Sequence, residues 1–183
     1  MNGLSEIEQL DRVARFIQLM AGGSVEEFEE LVHPDAVNRE AASEPPATRG
    51  RGPAAFRATS QWLLSAYDDL GWEVHVTASD GDTVAVHTTM HGRHVRPFVL
   101  YGPDGSPVQA FPPTGRTFAV AQTHWFKILE GQVIEHWAVR DDLGQAQQLG
   151  WVPPKPAYLL GMRRALRRAR RMHRQDQGAK VAT

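Results

Sequence analysis

QTHWFKILEGQVIEHWAVRDDLGQAQQLG, residues 122–150, reads as two strands joined by a tight turn and running into a helix. Aromatic and aliphatic residues alternate with polar ones on both sides of Glu130-Gly131, a pair suited to a two-residue hairpin loop. With Leu129 opposite Gln132, the register predicts His124 facing Trp137, Gln122 facing Val139 and Val120 facing Asp141, with Glu135 on the same side. One face of the sheet would then gather an imidazole, an amide and carboxylates beside aromatic rings.

A carboxylate near apolar rings loses hydration, which raises its pKa toward the range useful for proton transfer. Asp141 in that position would take an acidic proton next to a carbonyl while His124 or Gln122 donates a hydrogen bond to the developing oxyanion. The same residues also admit a structural reading, in which Asp141 caps a helix starting near Leu143 and His124 and Gln122 are satisfied polar groups of the interior.

Upstream of the hairpin, Ile7, Leu10, Val13, Ile17 and Met20 recur at helical spacing, and Ser5 with Glu8 forms a capping box. Ser24 with Glu27 opens a second, short helix that His33-Pro34 ends; residues 35–52, with Pro45-Pro46, read as a loop; Pro53 opens a third helix burying Phe56, Leu63, Leu64 and Tyr67. From Trp72 the period changes to two, and residues 72–78 and 83–92 are predicted to form a hairpin around Asp80-Gly81. A Gly/Pro-rich connection over residues 95–116 leads to the quoted pair. Four antiparallel strands after three helices predict an α+β domain, one curved sheet folded over helices into a cone able to hold a pocket.

The whole chain bounds what this pocket can do. Its 183 residues, 42% hydrophobic, fit one globular domain (residues 1–156) with a basic C-terminal helix and tail (residues 157–183). No apolar run is long enough to span a membrane and no signal peptide is evident, so a soluble cytoplasmic protein is expected. The absence of cysteine excludes thiolate nucleophiles, Cys-ligated zinc and iron–sulfur clusters, and no cofactor is expected. The net charge of −1 conceals a segregation: residues 163–183 carry +7, and the rest carries −8.

Three other features invite functional readings. His87 and His91 share a strand face about 13 Å apart, too far to chelate one ion, and no zinc motif joins them to His94; no metal site is expected. FPPTGR (111–116) lacks the spacing of a phosphate loop and suits a rigid turn. The C-terminal segment places Leu159, Met162, Leu166, Ala169 and Met172 on one stripe among arginines. That pattern suits a helix docked on the body or on a second subunit better than a nucleic-acid or membrane surface, because the arginines lack interleaved aromatics.

HPDAVN (33–38), GRH (92–94), FPPTGR (111–116) and IEHWAVRDDLGQAQQLG (134–150) together resemble the SnoaL-like polyketide cyclase family, also called ester cyclases, of the NTF2-like superfamily, over roughly residues 5–156. The resemblance implies a cystatin-like cone with its pocket on the concave side, a homodimer packed through the sheet, and an Asp acting as general acid/base in an intramolecular aldol closure. By position, that Asp is Asp141; Asn38, His94, Gln122 and His124 match the family's polar residues. Arg39 stands where a histidine is often found, and the segment from Val95 to Ala110 is longer than the cyclase pattern, bringing Phe98 and Tyr101 to the pocket as a lid.

The expected function is acid–base catalysis on a hydrophobic, carbonyl-containing small molecule, either aldol-type cyclisation or a related isomerisation. Asp141 and His124 are the expected catalytic pair, with Asn38, Gln122, His94, Trp137 and Tyr101 contacting substrate. The alternatives are a non-catalytic small-molecule-binding dimer and, more weakly supported, a hydrolase such as an epoxide hydrolase.

Overall fold

The computed structural model describes residues 5–181. Helices α1 (Glu6–Leu19) and α2 (Val25–Leu31) begin at the capping boxes Ser5/Glu8 and Ser24/Glu27, each with both reciprocal hydrogen bonds formed. Strand β1 (Val32–Asn38), two short 3-10 turns and α3 (Gly52–Leu64) follow, then β2 (Tyr67–Asp80) and β3 (Thr83–His94). A small hairpin, β4 (Phe98–Tyr101) with β5 (Pro107–Phe111), precedes the long pair β6 (Thr117–Leu129) and β7 (Gln132–Arg140). Helices α4 (Asp142–Gln148) and α5 (Pro156–Val181) complete the chain.

The main sheet has the order β1-β7-β6-β3-β2, antiparallel except for β1, which runs parallel to β7. Residues 32–38 are thus a strand where the end of the second helix (through Pro34) and the start of a loop (from Asp35) were expected; Pro34 and Asp35 break any alternating pattern, and only pairing with β7 supplies the strand's partners. Residues 95–116 likewise contain the β4–β5 hairpin rather than a bare connection. Tyr67 belongs to β2 instead of the third helix, but is buried as anticipated.

Along β6 the residues Phe118, Val120, Gln122, His124 and Phe126 are all buried and alternate with outward neighbours. The core lies between this concave face and the helices, with Phe16 packed edge-on against Phe28, Phe56 and Phe126. Ile7 is 72% exposed and lies off the buried stripe of α1, which Val13, Phe16, Ile17 and Met20 form instead. No helix among the described residues is long and apolar enough to cross a membrane.

Helix α5 lies along β5, held by Tyr158 Oη donating to the Pro112 carbonyl (3.0 Å) and Arg170 Nε donating to the Pro107 carbonyl (3.0 Å). Its half-buried stripe runs through Tyr158, Met162, Leu166, Ala169 and His173, whereas Leu159 and Met172, expected on that stripe, are exposed.

Candidate active site

The β6–β7 hairpin starts in the expected register, Leu129 opposite Gln132, around a loop in which Glu130 and Gly131 both have positive φ, 51° and 82°. One extra residue in β7 then shifts the pairing between Lys127 and Ile128, so Lys127 faces Glu135 and Phe126 faces His136. That bulge inverts the expected faces of β7. His124 pairs with Ala138 and Gln122 with Arg140, and His136 turns into the cone.

Glu135 and Trp137 are consequently on the outer face. Trp137 stacks there on Trp125, and the Arg39 guanidinium pairs with Glu135 and sits 5.7 Å from the Trp137 ring centroid. Trp137 therefore does not reach the pocket, and neither does Arg39. Asp141 is exposed and caps α4, accepting a hydrogen bond from the Gly144 backbone N–H at 2.7 Å. The carboxylate expected on the concave wall is thus turned away from it, and the neighbouring Asp142 lines the cavity in its place.

The cavity has a volume of about 370 Å³, the size of a small-molecule site. Phe16 and Ile17 of α1 with Met20 at its C-terminal cap, Phe56, Trp62 and Leu63 of α3, and Phe98, Leu100 and Phe111 of the β4–β5 hairpin make most of it apolar. Trp151, following α4, stacks on Phe111 with ring centroids 4.1 Å apart and on Phe98 at 5.7 Å. The hairpin closes this end as expected of residues 95–110, but through Phe98 and Leu100; Tyr101 is half-buried and outside the lining.

On the opposite wall five side chains form a continuous polar chain. Trp72 Nε1 donates to Gln122 Oε1 (3.1 Å), which also meets His124 Nε2 (2.9 Å); His124 Nδ1 meets His136 Nε2 (3.0 Å), and His136 Nδ1 meets Asn38 Oδ1 (2.9 Å). Asn38 lies directly across the β1–β7 ladder from His136, so the parallel strand that the sequence concealed supplies the end of the chain. The structure thus brings together Asn38, Gln122 and His124 of the expected set and adds His136, which the undisturbed register had placed outward.

Burial pushes His124 down to about 3, with the Arg140 cation adding to the effect, and burial likewise holds His136 well below the usual imidazole range, aided by His124 and Arg140. A second group of polar residues borders the same cavity. Arg140 lies 3.4 Å from Glu40 and 3.5 Å from Asp142, and the buried Glu44 accepts from Thr59 Oγ1 at 2.6 Å. Desolvation raises the Glu44 carboxyl above its ordinary value despite that hydrogen bond. Glu44 follows Ala41–Ser43 in irregular sequence, where no periodicity could have marked it as buried.

His94 is fully buried but lies off the cavity lining, its ring packed against Tyr67 and Trp151, which do line it. Its contact with the pocket is therefore indirect, and burial depresses it to about 4. Among the described residues no group of three or more His, Asp or Glu is placed to hold a metal ion.

An α+β cone closed around an apolar cavity, with a buried line of amides and imidazoles on one wall, defines a small-molecule pocket protein of NTF2-like architecture. The model of the SnoaL-like polyketide cyclase family matches residues 11–149, and the chain belongs to that family. It is 30% identical over 152 residues to aklanonic acid methyl ester cyclase DnrD of Streptomyces peucetius, covering 81% of this chain and 94% of that one. Nogalonic acid methyl ester cyclase of Streptomyces nogalater is 28% identical over 133 residues, covering 70% and 87%. Among solved structures, TsrD from Streptomyces laurentii superposes with a TM-score of 0.65 at 26% identity, covering 80% of this chain and 98% of that one.

Proposed function

We propose that the protein is a polyketide-type cyclase that closes a ring by acid–base catalysis within a single hydrophobic, carbonyl-bearing substrate. The observation that carries this reading is the Gln122–His124–His136–Asn38 chain, two imidazoles held between two amides on one wall of a mostly apolar cavity that Asp142 also lines. An aldol closure needs one proton removed from a carbon acid and one delivered to an alkoxide, with an enolate stabilised in between. Aromatic and aliphatic walls suit a flat polycyclic or pre-cyclic skeleton. The Glu40–Arg140–Asp142 cluster offers polar contacts to a ligand's oxygen-bearing edge.

The substrates in the names of the similar cyclases, aklanonic and nogalonic acid methyl esters, are the first compounds to assay. Cyclisation is read as conversion to an isomer of unchanged mass and altered chromatographic and visible-absorption properties. Conversion above the background rate supports the reading. Saturable binding without conversion across both esters and their close analogues would replace it with a non-catalytic carrier of the same ligand class.

We also infer a homodimer through the outer face of the sheet. Val76, His87, Thr123 and Val139 form one row across four strands, beside the stacked Trp125 and Trp137, and Val76 and Val139 are 59% and 69% exposed. Apolar exposure concentrated on one sheet face favours burial against a second copy.

A further inference from the structure

Three carboxylates line the cavity, and Glu44 differs from the other two in having no cation of its own. Arg140 is shared by Glu40 at 3.4 Å and Asp142 at 3.5 Å, and no ion pair among the described residues reaches Glu44. Arg49, the other arginine beside it, donates at 2.8 Å to the Glu44 main-chain carbonyl rather than to the carboxyl. The residue is 4% exposed, the one carboxylate buried among the described residues.

The two oxygens of this carboxyl have different surroundings. Thr59 Oγ1 donates to Oε2 at 2.6 Å, while its alternative acceptor, the Ala55 carbonyl, is 3.5 Å away. The Thr48 hydroxyl, also beside the carboxyl, gives its one hydrogen to the Pro45 carbonyl at 2.8 Å. Oε1 receives no hydrogen bond from the described residues, yet it is not one of the sealed polar atoms. On a buried residue that lines the cavity, the open side of Oε1 is the cavity itself.

An ionised Glu44 would be a third negative charge around one cation, with little but a hydroxyl to solvate it. Taking up a proton removes that charge. Burial raises the Glu44 carboxyl above its ordinary value; the Thr59 and Thr48 hydroxyls and the Arg140 cation of β7 oppose this, and Glu40, after β1, adds to it. Since Thr59 holds Oε2 as the acceptor, the acid hydrogen belongs on Oε1, toward the space a ligand occupies.

We propose that Glu44 is the carbonyl-recognising residue of the cavity, its Oε1–H donating a hydrogen bond to a carbonyl oxygen of the bound substrate. This rests on the cyclase reading above and leaves proton abstraction to the acid/base carboxylate of the family. During ring closure the hydrogen bond strengthens as negative charge develops on that oxygen, so it favours the transition state over the bound substrate. Glu44 also sets specificity. A skeleton with a hydrocarbon edge at this end leaves the buried O–H without a partner, whereas a ketone or ester carbonyl satisfies it.

The test pairs α-tetralone, a bicyclic aryl ketone, with tetralin, the same skeleton without the oxygen, and reads infrared difference spectra of the full chain. Wild type at neutral pH is expected to show the C=O stretch of a neutral carboxylic acid that Glu44→Gln lacks. Tetralone should move that band to lower frequency while tetralin leaves it in place. The carbonyl stretch of carbon-13-labelled tetralone should lie lower in wild type than in Glu44→Ala, and the ratio of tetralone to tetralin affinity should fall about 10-fold in that variant. A wild type without the acid band, a band that persists in Glu44→Gln, or tetralone that binds without moving it would overturn the proposal and leave the cyclase reading intact. Tetralone responses as expected in a protein that converts neither methyl ester would sink the cyclase reading instead, with carbonyl recognition standing. Failure of both probes to bind would count against the pocket and the proposal together. Because Glu44 is the one buried carboxylate among the described residues, the band shift on wild type decides the matter even if the variants do not fold.

Discussion

At the scale of single residues, position within a strand decides chemistry. Asp141 and Asp142 are adjacent carboxylates, yet one caps α4 through the Gly144 N–H and the other faces the cavity. Asp141→Asn should retain turnover because asparagine caps as well as aspartate, whereas Asp141→Ala should lose about 1 kcal/mol of stability, read by denaturant melts. A large fall in kcat for Asp141→Asn at unchanged stability would restore Asp141 to the chemistry. His94 offers a second residue-level prediction. Its folded pKa of about 4 lies below the ordinary imidazole value of 6.5, so the unfolded chain binds more protons between those values and stability falls as pH drops through that window. The slope from this residue reaches about 1.4 kcal/mol per pH unit, and replacing His94 with Phe should remove that share of the acid sensitivity in paired melts at pH 7 and pH 5.

At the scale of elements, two hairpins shape the site. The Glu130-Gly131 loop sets the start of the β6–β7 register with both residues in the left-handed region. Gly131→Ala should destabilise the protein by about 1–2 kcal/mol, measured by thermal or denaturant unfolding. The β4–β5 hairpin is fastened differently: Arg49 donates to the carbonyls of Glu44 (2.8 Å), Gly102 (2.7 Å) and Pro103 (3.0 Å), and Trp62 Nε1 donates to the Val99 carbonyl (2.9 Å). Arg49→Ala should therefore speed amide exchange over residues 98–111 while leaving β6 and β7 protected, and should weaken binding of an apolar ligand. Uniform exchange across both hairpins would show that the lid is held by other contacts. Legibility also differed between these elements. Capping boxes, the turn and the β6 alternation are local patterns and were readable; β1, with Pro34 in its middle, has partners only in β7, so its strand character is not written locally.

At the scale of the whole molecule, the sheet has two faces with different tasks, one enclosing the cavity and one presenting Val76, Trp125, Trp137 and Val139. If that outer face joins two copies, Val139→Glu should shift sedimentation from dimer to monomer while leaving ligand binding in the cone intact. A monomeric wild type would show that the row is simply exposed. The charge segregation seen in the sequence persists in space, since α5 docks its apolar stripe on β5 and leaves most of its arginines exposed.

By itself the sequence determined the helix starts, the hairpin turn, the alternation that buries Gln122 and His124, and the family motifs, because each depends on residues near one another along the chain. The tertiary structure alone decided the rest of the site. A single extra residue in β7 reversed which side of that strand faces inward, removing Trp137 and admitting His136. Pairing with β1 then set Asn38 against His136, a contact across 98 positions of chain. A bulge is fixed by how two strands and the layers around them pack, a balance no alternation pattern records, and here it settles which groups meet in the cavity.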